Sequence, residues 1–193
     1  MIEYPEFAEI DGEIYKINTD YKYALVCFKI IDDPSISDIE RAIAVVSVLF
    51  GREDNNGNII GIPLNLDVAL EKASFFLSCG KENKNIKDIK KDMDFNYDKE
   101  FIYASFISDY KIDLETEGMH FWKFCSLISG LTEDSILNRV RDLRNTNLSD
   151  YKDSKTRNKL QEAMERVALP EEYDYDKEDV EAINEFNRLL GDD

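Results

Sequence analysis

One histidine and three cysteines limit the nucleophilic or metal chemistry open to this 193-residue chain. His120 and Cys125 are the nearest base and thiol, the combination that general-base activation of a thiolate requires. On one helix, a spacing of five turns the two side chains about 140° apart, so they do not meet. Cys27 and Cys79 reach His120 only through the tertiary fold. A zinc site needs three or four ligands, and one His with three scattered Cys is poor material for it. His120 is therefore read as a packed, hydrogen-bonded histidine. No GxxxxGK[ST], GxGxxG or GxSxG occurs in the sequence. No catalytic residue, no metal site and no cofactor is expected.

The loop Glu53-Asp54-Asn55-Asn56-Gly57-Asn58-Ile59 resembles a calcium loop, with Gly57 as its turn glycine. That register puts Arg52 first and Pro63 last, where carboxylates are needed, so a polar surface turn is the better reading. Arg139, Arg141 and Arg144 form a basic cluster on an acidic chain. Pairing within the chain is expected, with carboxylates around Asp142 or in the C-terminal segment; an acidic partner is the alternative. Trp122 falls at the edge of an apolar helical stripe and is the first tentative protein-binding residue. Ile183, Phe186 and Leu190, on a C-terminal apolar rhythm, are the others.

The elements that position these residues centre on Asp94 to Leu131, which holds the only Trp, the only His and the densest aromatic run. Ile102, Phe106 and Tyr110 stack four apart on one stripe, widened by Phe101, Tyr103 and Ile107, so this helix is expected to be covered on most sides. A second helix starts near Gly118 with His120, Phe124, Leu127 and Leu131 on one face. The two are expected to form a hairpin with a tight loop, the nucleus of the core.

Before this stretch, Asp11-Gly12 between two apolar runs predicts a type I′ hairpin. Thr19 or Asp20 caps a helix to about Ile31, whose β-branched and aromatic content leaves a strand as the alternative. Ser37 and Glu40 make a capping box ahead of Ile39, Ile43, Val46 and Phe50, and Gly51 suits a left-handed stop. Asn65 opens a third helix that ends near Gly80, and Lys81–Asp92 is the best internal linker. After the central stretch, Thr132 is expected to cap a helix with Ile136, Val140 and Leu143 inward. A further helix has Leu160, Met164 and Val167 inward, and Pro170 closes it. The fold class is mainly α: about six to seven helices and a small N-terminal β-hairpin, with residues 1–170 as one domain. Residues 171–193 form an acidic arm of ten acidic and two basic residues, a net −8.

The formal net charge of −17 argues against a nucleic-acid or anionic-membrane binder, because like charges repel. Unpaired, scattered cysteines fit a reducing compartment. The opening MIEYPEFAEIDG has neither a basic region nor an apolar run, so no secretory leader is expected. No stretch of 18 apolar residues occurs to span a membrane.

With these residues laid out, the sequence resembles the phage "gene product fifteen" family, small proteins of the tail gene region in siphophages and prophages. The resemblance rests on Asp94-Phe95, Asp98, Ile102-Tyr103-Ala104-Ser105-Phe106, Tyr110-Lys111-Ile112-Asp113-Leu114 and Met119-His120-Phe121-Trp122-Lys123-Phe124. Leu131, Arg144, the Asp11-Gly12 hairpin and Ile17-Asn18-Thr19-Asp20 also fit, so it runs from about Ile10 to Leu169. Phe121 stands where a Trp is usual, Lys111 where Gly is common, and Tyr21-Lys22 where Phe-Arg is typical. The resemblance implies a non-enzymatic tail assembly chaperone in the host cytoplasm that holds the tape-measure protein, or another tail protein, soluble. A second copy of the chain, giving a homo-oligomer, is a further candidate partner. An acidic DNA mimic that inhibits a host protein and a structural tail component retained in the virion are the alternatives.

Overall fold

The structure is a computed structural model that describes residues 4–53, 59–81 and 91–170. The described residues form seven α-helices and two short antiparallel hairpins, so the chain is mainly α as expected. The described residues divide into two compact units, residues 4–81 with 118–125, and residues 91–117 with 126–170.

In the first unit, β1 (Phe7–Ile10) pairs with β2 (Glu13–Lys16), Phe7 opposite Lys16 and Ile10 opposite Glu13. Asp11 and Gly12 both have positive φ, 51° and 80°, as a type I′ turn demands. The next four residues tie the hairpin to its neighbours. Ile17 is buried, and the Asn18 side-chain amide donates to Val48 O and Gly51 O at the end of α2 (Asp38–Phe50). Asp20 caps α1 (Tyr21–Asp32) by accepting from Lys22 N. The capping box of Ser37 and Glu40 starts α2, with both reciprocal bonds made.

Gly51 does not take the left-handed conformation expected of it. It is extended (φ −67°, ψ 156°), because the chain leaves α2 straight into β3 (Arg52–Glu53), which pairs with β4 (Ile59–Ile60). Asn18 supplies the side-chain donor for the end of α2 instead. The calcium-like residues 54–58 lie outside the described residues, as do residues 82–90 of the linker. The third helix, α3 (Leu66–Leu77), is capped by Asn65 as the sequence predicts. Ala24, Cys27, Val46, Leu49, Phe50, Ala69, Phe76, Phe121 and Phe124 fill this core, each at 1% exposure or less.

The second unit contains α4 (Lys99–Tyr110), α6 (Ile136–Arg144) and α7 (Ser154–Arg166). The boundary between the units falls inside α5 (Phe121–Ser129), after Cys125. Ile102 and Phe106 of α4 are buried with Leu137 and Val140 of α6, and the Ser105 hydroxyl accepts from Leu137 N at 3.1 Å. α4 is less covered than expected, since Ile107 is exposed and Phe101 and Tyr103 are half-buried. The expected tight loop is a longer passage from Lys111 to His120, with a turn over Asp113–Glu117. Aromatic residues of that stretch accordingly serve two cores, Phe121 and Phe124 in the first unit and Phe106 in the second.

Thr132 is not the cap of α6. Its N–H and hydroxyl both donate to the Asp109 carboxylate, and Ser135 caps the helix by accepting from Asn138 N. The inner face of α6 carries Leu137, Val140 and Arg144, leaving Ile136 exposed and Leu143 half-buried. Leu160, Met164 and Val167 form the half-buried side of α7, as expected.

Candidate functional site, an apolar groove on the first unit

α1, α2 and α3 leave an open groove between them, where small residues of α2 and α3 lie beside larger apolar ones. It is lined by Phe28 and Ile31 of α1, Ala42 and Val45 of α2, and Leu70, Ala73, Ser74 and Leu77 of α3. Its volume is about 520 Å³. Ile31 is 40% exposed, a large apolar side chain with one flank in water.

One cation lines the groove. Arg41 binds Asp38 Oδ1 and donates to the carbonyls of Ile30, Asp33 and Ile36, which include the open end of α1. Its role is therefore largely structural, holding the α1–α2 corner that shapes the groove. A smaller cleft of about 280 Å³ lies between β1 and α3, lined by Pro5, Phe7, Ala8, Ile17, Phe75 and Phe76 among others.

The residues singled out from sequence lie elsewhere. His120 Nε2 is 3.0 Å from Pro5 O, Nδ1 accepts from Trp122 N at 3.1 Å, and Tyr4 stacks on the ring. With Nδ1 accepting, Nε2 carries the hydrogen and donates to Pro5 O. The backbone beside it bridges to Asp20, with Tyr21 N donating to Met119 O and Phe121 N to Thr19 O. His120 is thus packed and hydrogen-bonded, as the sequence reading holds. Trp122 is half-buried, its indole N–H donating to Phe76 O at 2.8 Å and its ring beside Phe75. Ile183, Phe186 and Leu190 lie outside the described residues.

Two arginines of the basic cluster pair within the chain, with Asp98 and Asp92 rather than with Asp142. Arg144 grips Asp98 with two 2.7 Å bonds, and Arg141 binds Asp92. The C-terminal segment lies outside the described residues. Cys79 and Cys125 meet, which no sequence spacing indicated. Among the described residues, no group of three or more His, Cys, Asp or Glu is placed to hold a metal ion. No helix among them is long and apolar enough to cross a membrane.

These features define a mainly α, strongly acidic protein with an open apolar groove on one unit. The chain belongs to the family described as Bacteriophage Gp15 protein, which it matches over residues 3–169. No curated protein and no solved structure matches it.

Proposed function

We propose that this phage protein is a tail assembly chaperone that performs no catalysis and receives an apolar helical stripe of the tape-measure protein in the α1–α2–α3 groove. The groove itself carries the reading. It is apolar, with small residues among larger ones, the form in which an amphipathic helix docks through side chains at i, i+3, i+4 and i+7. A volume of about 520 Å³ accommodates several apolar anchors of such a stripe. The net charge of −17 adds a preference for a stripe flanked by Lys and Arg, and it keeps an aggregation-prone client in solution. Family membership supports the phage context. The acidic segment 171–193, with Ile183, Phe186 and Leu190, is proposed as a second contact for the client or for another copy of the chain.

Co-expression with the tape-measure protein of the same phage tests the proposal. The two proteins should co-purify, and Ile31→Glu or Ser74→Glu should weaken capture by on the order of tenfold or more, as buried charges do at apolar interfaces. Both positions are exposed, so melting should be unchanged within about 0.5 kcal/mol. Capture that survives both substitutions would remove the groove from the reading. Stoichiometric amounts of the protein in purified virions would favour a retained structural component.

A further inference from the structure

Cys79 and Cys125 come together where the C-terminal end of α3 meets α5. Cys79 lies just past α3 in the left-handed region (φ 54°), followed by Gly80 (φ 70°). This double turn passes directly beneath Trp122, since a Cβ added at Gly80 would stand 2.9 Å from the indole ring. The Trp122 N–H fastens the same junction by donating to Phe76 O at 2.8 Å. Cys125 follows Trp122 by one helical turn and so faces the same way, toward the end of α3. Its thiol forms a hydrogen bond with the Cys79 sulfur. Both cysteines are partly exposed, whereas Cys27 is wholly buried.

We propose that Cys79 and Cys125 form a reversible dithiol site that reacts with low-molecular-weight disulfides, Cys79 as the attacking sulfur and Cys125 as the resolving one. The asymmetry follows from position: Cys79 stands in a turn two residues before the exposed Lys81, whereas Cys125 lies within α5. The Cys125 S–H donates to Cys79, and the nearby Lys81 charge adds to it, holding the Cys79 thiol below its usual range. The same hydrogen bond, with burial, pushes Cys125 up. Burial alone pushes Cys27 up and keeps it inert.

In the first exchange the Cys79 thiolate attacks one sulfur of the small disulfide. A Cys79–S–S–R bond forms, the original S–S bond breaks, and the released thiolate takes up the proton that Cys79 lost. In the second, Cys125 gives its proton to solvent and attacks the Cys79 sulfur. The Cys79–Cys125 bond forms, and the second small thiolate leaves and is protonated. Two protein thiols are oxidised and one small disulfide is reduced to two thiols. The new bond staples the end of α3 to α5, next to Leu77 and Ser78 of the groove wall.

The full-length protein, incubated in mixtures of oxidised and reduced glutathione, provides the test by intact mass and by peptide mapping after alkylation. The wild type should lose two hydrogen masses and yield a linked Cys79–Cys125 peptide, with Cys27 alkylated only after denaturation. Cys125→Ser should stop at one glutathione on Cys79. Cys79→Ser should slow glutathionylation of Cys125 by about tenfold or more, because the better thiolate is gone. Separate glutathiones on the two cysteines of the wild type, or a link involving Cys27, would overturn the proposal. The wild-type measurement alone decides this if either variant folds poorly.

Discussion

Arg144 of α6 and Asp98, the residue before α4, form a buried fork: two nitrogen–oxygen bonds of 2.7 Å between side chains at 4% and 0% exposure. Further hydrogen bonds hold the fork in place. Arg144 also donates to Asp92 O and Val167 O, and Asp98 Oδ2 accepts from Asp94 N. Asp94 in turn accepts from Asn96 N and Tyr97 N and binds Lys91. Asp98 therefore stands at the N-cap of α4 without capping it, its carboxylate being committed to the arginine.

Removing one side of this fork leaves a buried charge without its partner. Asp98→Ala is expected to cost about 3–5 kcal/mol, the usual penalty for breaking such a pair. Arg144→Lys should also destabilise, because an ammonium cannot reproduce the bidentate fork. Urea unfolding checks both, and a loss below about 1 kcal/mol for Asp98→Ala would show that the pair is dispensable.

Phe106 and Phe124 are 0% and 1% exposed, each in the core of its own unit. Truncating either to Ala should cost about 3–5 kcal/mol. Amide exchange should show the first loss of protection around α4 for Phe106→Ala and around α1 and α3 for Phe124→Ala. Melting within a degree or two of wild type would contradict the burial of these rings.

Lys111 closes α4 with φ 60°, its N–H donating to Ile107 O and that of Ile112 to Phe106 O. A side chain in this region costs about 1–2 kcal/mol, which glycine avoids at some cost in unfolded-chain entropy. Lys111→Gly should therefore raise stability by about 0.5–1 kcal/mol, a shift of a few degrees in Tm. An unchanged or lower Tm would count against the strain.

Asp109 accepts from Thr132 N, the Ser108 hydroxyl and the Thr132 hydroxyl, which hold its carboxyl below the usual range. A lowered folded-state value means that the ionised form binds more tightly to the folded chain. The contribution is thus complete above the ordinary carboxylate value and is lost as pH falls through the lowered one. Asp109→Asn should melt lower than wild type near neutral pH, and the gap should close in acid. A gap independent of pH would assign the effect to packing.

Local chemistry was legible wherever a few adjacent residues decide the outcome. Asp11-Gly12 specified its turn, Ser37 with Glu40 and Asn65 specified helix starts, and apolar spacing specified the helices that follow. The resemblance to the phage family rested on the order of motifs, and the family match spans residues 3–169. Helix phase failed where a cap was chosen by distant groups. Thr132 was drawn off by Asp109, so Ser135 began α6 and turned Arg144 inward rather than Leu143.

What only the tertiary structure decided are pairings across long stretches of chain. Asn18 to the end of α2, Asp98 with Arg144, Cys79 with Cys125 and Trp122 over Gly80 leave no spacing in the sequence. The groove belongs to the same class. Ala42 and Val45 of α2 and Ala73 and Ser74 of α3 read as ordinary small residues on two separate helices, and they line a recess only when those helices are packed beside α1. Sequence periodicity determines which face of a helix is apolar. It does not determine which apolar face meets its neighbour and which remains open, because that depends on how whole helices fit against one another.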